Sequence, residues 1–249
     1  LLQHIINRGP IDEKVYMDHE PLTLIETLLS RTDPATVSRE VYLQRSLDPA
    51  VNLYLPTYTV RPSGPNPRVY EVGCRLMEAA FAAKRTHRIM GIYRRCNLIA
   101  GDDAERLTSW FLTKLYERHD YKDAVKLFLS TYAAANPSEP RGIHAVGDII
   151  VQCVENAHNY RPAEVLAVLQ KVCAGPAKTK LNPKWVMKLM VARWRETQDF
   201  TKVEEMFDSL RAPTLKENVF NANSLYRIMI ELALEAGNET KSEEYFLEG

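Results

Sequence analysis

The stretch Tyr121-Lys-Asp-Ala-Val-Lys-Leu-Phe128 decides the fold, because its pattern returns three times downstream. The copies are Pro162-Ala-Glu-Val-Leu-Ala-Val-Leu169, Phe200-Thr-Lys-Val-Glu-Glu-Met-Phe207 and Glu239-Thr-Lys-Ser-Glu-Glu-Tyr-Phe246, and a weaker one, Thr86-His-Arg-Ile-Met-Gly-Ile-Tyr93, precedes them. Each has a polar start, a small or branched residue in the middle and a closing aromatic or leucine. The closing residues Tyr93, Phe128, Leu169, Phe207 and Phe246 stand 35, 41, 38 and 39 positions apart. A self-similar period of that length is one helical hairpin per step.

Working outward, each copy follows an apolar stretch with helical periodicity: Tyr70 to Ala82, Leu107 to Tyr116, Val146 to Val154, Trp185 to Trp194 and Leu225 to Leu234. In the second, Leu107, Trp110, Phe111 and Leu115 share one helical face. Asp102-Asp103, Asn182-Pro183 and Asn221 or Asn223 are start signals for these helices. The links Arg118-His119-Asp120, Asn159-Tyr160-Arg161, Thr197-Gln198-Asp199 and Ala236-Gly237-Asn238 are short, which forces paired helices antiparallel. Links between pairs are longer and proline-bearing, as at Asn136-Pro137-Ser138-Glu139-Pro140, Gly175-Pro176 and Pro213. The expected fold is all-α, an α-solenoid of stacked antiparallel helical hairpins with a concave groove.

Residues 1–54 lack the repeat and form a helical N-terminal cap, with helices over Pro21 to Arg31 and from Asp33-Pro34 to Leu43, Asp33 acting as cap. Residues 55–68, with Pro56, Pro62, Pro65 and Pro67, make a proline-rich linker or strap. About five hairpins fill residues 69–249.

Composition agrees. Of 249 residues, 45% are hydrophobic and 26% charged, ordinary for a chain that buries a core, and only 10 are glycine. Asn-Gly and Asp-Gly hairpin turns are absent. Formal net charge is zero, so binding to nucleic acid or to an anionic membrane must come from local patches. Cys74, Cys96, Cys153 and Cys173 are far apart and form no CxxC pair, which argues against a zinc knuckle or a disulfide framework and suits a reducing compartment. No apolar run approaches the roughly 20 residues that span a bilayer. The chain opens at Leu1 and stops inside a helix pair, as a mature or trimmed piece would.

The unit Asn223 to Phe246, and Thr108 to Phe128 with Asp123-Ala-Val-Lys-Leu-Phe128, resemble pentatricopeptide repeats, within the superfamily that also holds the tetratricopeptide repeats. The resemblance covers roughly residues 69–249. It implies a non-enzymatic scaffold that binds single-stranded or ribosomal RNA, in mitochondrial RNA metabolism or in a ribosome or RNA-processing assembly. It also implies base-reading positions on the first helix of each hairpin, which fall on Cys74, Ser109, Ile150, Lys188 and Arg227; Ser109 is the small hydroxyl the family uses. The alternative is a tetratricopeptide-like scaffold for other proteins of a larger assembly, without RNA.

From Lys171 to Lys202, eight Lys or Arg stand against Glu196 and Asp199. Lys184, Lys188 and Arg195 share one side of a helix, Arg193 lies in the same run, and together they are candidates for phosphate binding. Trp185 either stacks a base or is core, with the lysines then a solvated face. Lys84, Arg85 and Arg88 form a second basic cluster, a site for phosphates, an acidic protein or plain solvent. Glu231, Glu235, Glu239, Glu243, Glu244 and Glu248 make the C-terminal end acidic, which repels nucleic acid and suits a protein neighbour.

Catalytic signatures are missing. His4, His19, His87, His119, His144 and His158 show no metal-ligand spacing, and Gly175-Pro-Ala-Lys-Thr179 lacks the spacing of a phosphate loop. Asp102-Asp103 reads as a cap and not as a metal site. No enzyme activity, cofactor, metal, membrane or small-molecule substrate is expected.

Overall fold

A computed structural model of the chain describes residues 20–57, 66–85, 88–133, 143–174, 181–211 and 222–249. Among them every regular element is a helix, as the repeat predicts. The chain divides into two compact units, Leu1–Thr108 and Ser109–Gly249.

The first unit holds α1 (Glu20–Ser30), α2 (Arg39–Tyr42), α3 (Asp48–Thr57), α4 (Pro67–Ala82) and α5 (Ile89–Ile99). A five-residue π-helical segment, Leu43–Leu47, joins α2 to α3, so 39–57 is one continuous helical run. This corrects two expectations. Asp33 and Pro34 do not open a helix: the Asp33 carbonyl accepts from the Thr36 amide at 3.1 Å and its carboxylate from the Ala35 amide at 2.9 Å, a closed turn. Ser38 is the cap instead, its hydroxyl accepting from the Val41 amide. Nor is Leu55-Pro56-Thr57 extended. Pro56 sits in the last turn of α3, where its missing donor removes a single ladder bond while the buried Leu53 and Tyr54 hold the helix down. At the other end of the expected linker, Pro67 is already the first residue of α4, capped by Asn66. Residues 58–65 lie outside the described residues. The core of the unit packs α1 on α3 and α4, and α4 on α5, around Ile25, Leu47, Tyr54, Leu76, Met77 and Ile92.

Helix α6 (Ala104–Glu117) crosses the boundary between the units. The second unit continues with α7 (Tyr121–Tyr132), α8 (Ile143–Asn156), α9 (Pro162–Cys173), α10 (Pro183–Thr197), α11 (Phe200–Arg211), α12 (Ala222–Glu235) and α13 (Glu239–Glu248). The four repeat copies of this unit are α7, α9, α11 and α13. The turns between partners use left-handed backbone at His119, at His158, Asn159 and Arg161, at Gln198 and at Gly237. Packing is between neighbours: α8 meets α7, α9 and α10; α10 meets α9, α11 and α12; α12 meets α13.

The closing residue of each copy tests the repeat side chain by side chain. Phe128 and Leu169 are fully buried and Phe207 nearly so, whereas Phe246 is 73% exposed, with Leu247 beside it. Aromatic edges fasten the last pair to α11, through Phe207 against Tyr226 and Tyr245 at 5.4 and 5.5 Å between ring centroids. The proline-bearing links at 134–142, 175–180 and 212–221 lie outside the described residues, and with them the loop Gly175 to Thr179, Lys178, Lys180 and the Asn221 cap.

Candidate nucleic-acid interface

Helix α10 carries the strongest sequence candidate. Asn182 caps it, accepting from the Lys184 amide at 3.0 Å, and Pro183 takes the first helical position, where its missing donor costs nothing. Trp185, Val186, Leu189, Met190, Ala192 and Trp194 form its buried face. Lys184, Lys188 and Arg195 fall within roughly 40° of one another on the opposite, exposed side, as the 3.6-residue turn requires.

The stripe is not uniformly free. Lys188 Nζ pairs with Glu155 of α8 at 2.8 Å. Lys184 and Arg195 make no ion pair among the described residues. On α12, Arg227 extends into solvent and pairs with Glu231 one turn on at 2.9 Å. The exposed faces of α8, α10 and α12 thus present Asp148 and Glu155, then Lys184, Lys188 and Arg195, then Arg227 and Glu231: alternating charge with a small positive excess.

Two candidates leave the stripe. Arg193 lies on the opposite side of the helix axis, its side chain only 22% exposed, held by Glu196 at 2.7 Å with its Nε buried and unpartnered. Trp185 is core, 2% exposed, and cannot stack a base. Its ring lies over Gly147 of α8, where any Cβ would overlap it, and its Nε1 donates to Asp148 Oδ1 at 2.5 Å. The cause is angular: Trp185 follows Lys184 by about 100° of helix, which turns it from the exposed side into the α8–α10 interface.

Of the positions implied by the family resemblance, Lys188 and Arg227 are exposed and Ser109 is half-buried on α6, its carbonyl accepting from the Thr113 hydroxyl at 2.9 Å. Ile150 is fully buried and reads nothing. Cys74 is half-buried in the first unit and engaged with Tyr70 and Cys96.

The second basic cluster is a clasp. Arg85 makes a two-pronged contact with the Asp48 carboxylate of α3, both distances 3.3 Å. Arg88 donates to the Asn52 side chain on the same helix. Arg39 closes the C-terminus of α4 by donating to the carbonyls of Ala83 at 2.7 Å and Lys84 at 3.3 Å. Of the three candidates, only Lys84 has a side chain that makes no hydrogen bond or ion pair among the described residues; Thr86 and His87 lie outside them. The acidic partners are the part that sequence reading misses. Glu231 is findable as the i+4 neighbour of Arg227, but Asp48 and Glu155 meet their arginine and lysine only through tertiary packing, 37 and 33 positions away.

Among the described residues no group of three His, Cys, Asp or Glu could hold a metal, and no helix is long and apolar enough to cross a membrane. Comparison with protein-family models, with curated proteins and with solved structures finds no match to this chain.

Proposed function

We propose that this chain is a non-enzymatic helical-repeat scaffold of pentatricopeptide-like type that associates with RNA by holding phosphates. The observation that carries the reading is the exposed stripe Lys184, Lys188 and Arg195 on α10, with Arg227 also exposed on α12, the helix packed against α10. Packing of α8 on α10 and of α10 on α12, with α7 on α9, is the neighbour pattern of an α-solenoid and supports that arrangement for the second unit. A fixed row of cations on adjacent first helices suits a phosphate backbone. With Trp185 and Ile150 buried, contact with the backbone and not base reading is the mode these side chains favour. A role in an organelle such as the mitochondrion, in RNA metabolism or a ribosome-associated assembly, rests on the family resemblance.

A second reading, a scaffold for proteins alone, is favoured by the carboxylates set against the stripe and by the C-terminal end. There Phe246 and Leu247 are exposed among Glu239, Glu243, Glu244 and Glu248.

The test is binding of labelled single-stranded RNA across a salt series, for the native chain and for the K184A/K188A/R195A variant. Phosphate-led binding weakens steeply with salt, and on a single strand the variant's log–log slope is shallower by roughly 0.7 for each phosphate no longer neutralised. Equal affinity and slope for both proteins would remove the stripe from the interface. No binding by the native chain at low salt would favour the protein scaffold.

A further inference from the structure

Two of the cysteines meet. Cys74 of α4 and Cys96 of α5 are 22 positions apart, yet the Cys96 sulfur lies against the backbone of Gly73, next to Cys74. The approach is possible because the residue beside Cys74 is a glycine. Any Cβ on Gly73 would overlap the Cys96 sulfur and the Tyr54 hydroxyl, so α4 and α5 come together at a point where one of them has no side chain. Tyr54 fixes the site from α3, its hydroxyl donating to the Val69 carbonyl at 3.1 Å and touching the Cys96 sulfur at 3.5 Å.

The two sulfurs differ in character. Cys74 is half-buried and reachable from solvent; hydrogen bonding to Cys96 and to Tyr70 favours its thiolate and holds its thiol below the usual cysteine range despite some burial and the nearby carboxylates of Glu78 and Asp103. Cys96 is fully buried, and its pairing with Cys74 together with its burial pushes its thiol strongly up. Cys153 and Cys173 are buried in the second unit, with thiols pushed up to about 12 and about 11 by burial alone. Thiolate character and access together set cysteine reactivity.

We propose that Cys74 and Cys96 form a redox-modification site, in which Cys74 is the peroxide-sensing thiol and Cys96 the resolving thiol of an α4–α5 disulfide. The oxidant is hydrogen peroxide. The Cys74 thiolate attacks one peroxide oxygen; the S–O bond forms, the O–O bond breaks, and the leaving hydroxide takes a proton and departs as water. The Cys96 thiol then attacks the sulfenic sulfur, the S–S bond forms, the S–O bond breaks, and its proton leaves with the hydroxyl as a second water. Two thiols lose two electrons in all, and the peroxide is reduced to two waters. The product staples α4 to α5, and a dithiol reductant reverses it.

The experiment treats the whole reduced chain with hydrogen peroxide, blocks remaining thiols by alkylation and maps non-reduced tryptic peptides. The expected result is a disulfide joining the peptides 69–75 and 96–106, which hold Cys74 and Cys96, with Cys153 and Cys173 alkylated. It should form about tenfold or more faster in the native chain than in urea, where proximity is lost. In a C96A variant, Cys74 should instead accumulate as sulfenic acid, trapped by a dimedone probe. Cys74 carried to sulfinic acid in the native chain while Cys96 remains a free thiol would overturn the proposal. So would a disulfide that forms no faster folded than unfolded.

Discussion

At the scale of single residues, two glycines do more than composition suggests. Gly147 and Gly73 lie inside helices, where glycine costs roughly 1 kcal/mol against alanine. Each faces a large or fixed group that leaves no room for a methyl: the Trp185 ring for Gly147, the Cys96 sulfur and Tyr54 hydroxyl for Gly73. Gly147→Ala should therefore destabilise the chain despite the better helix former. Overpacking costs about 1–3 kcal/mol and exceeds or cancels the propensity gain, and urea unfolding reads the net loss. A gain of stability would mean that the Trp185 ring has room to retreat. Neither glycine stands out in the sequence, because its reason is a neighbour 38 or 23 positions away on another helix.

At the scale of elements, helix ends are the more legible features. Asn182-Pro183 reads directly as a start and is one, so Asn182→Ala should cost about 1 kcal/mol. Asp199 plays a comparable part before α11: its Oδ1 accepts from the Thr201 amide at 3.0 Å and from the Thr201 hydroxyl at 2.6 Å. These bonds hold its carboxyl below the usual range. The stabilisation is present above the ordinary aspartate range and is lost as pH falls through the depressed value. D199N should flatten the acid limb of thermal stability in that window, by a small amount because the group is fully exposed; an unchanged limb would exclude the cap from the acid response. The periodicity also locates α4, α6, α8, α10 and α12, since each buries a stripe wide enough to repeat visibly. It fails at Asp33-Pro34, a good start signal with no helix behind it, and at Pro56, a breaker tolerated in a last turn. In both cases tertiary burial of Tyr42, Leu47 and Tyr54 decides where the helix runs.

At the scale of the whole molecule, the candidate interface is half legible. Spacing alone puts Lys184, Lys188 and Arg195 on one side of a helix, but a run of basic residues does not say which side is buried. Proximity in the chain therefore groups Arg193 and Trp185 with them, and both face elsewhere. The clasp of Arg85 and Arg88 on α3 is invisible in the sequence, because Asp48 and Asn52 belong to a region without the repeat. The ion pairs are exposed or half-exposed, and such pairs contribute about 0–1 kcal/mol each. Raising salt should move the melting temperature by only a few degrees, roughly what 1 kcal/mol does, while the proposed RNA binding collapses over the same range. A melt that tracked the salt as steeply as the binding would mean that the charges hold the fold. Finally, the chain carries its own optical gauge of that fold. Trp185 is sealed against Gly147 with its indole N–H tied to Asp148, so its fluorescence should be blue-shifted in the native state. In a W110F/W194F chain, where Trp185 is the sole emitter, the shift to the red on heating or in denaturant dates the moment at which α8 and α10 part, without any label attached.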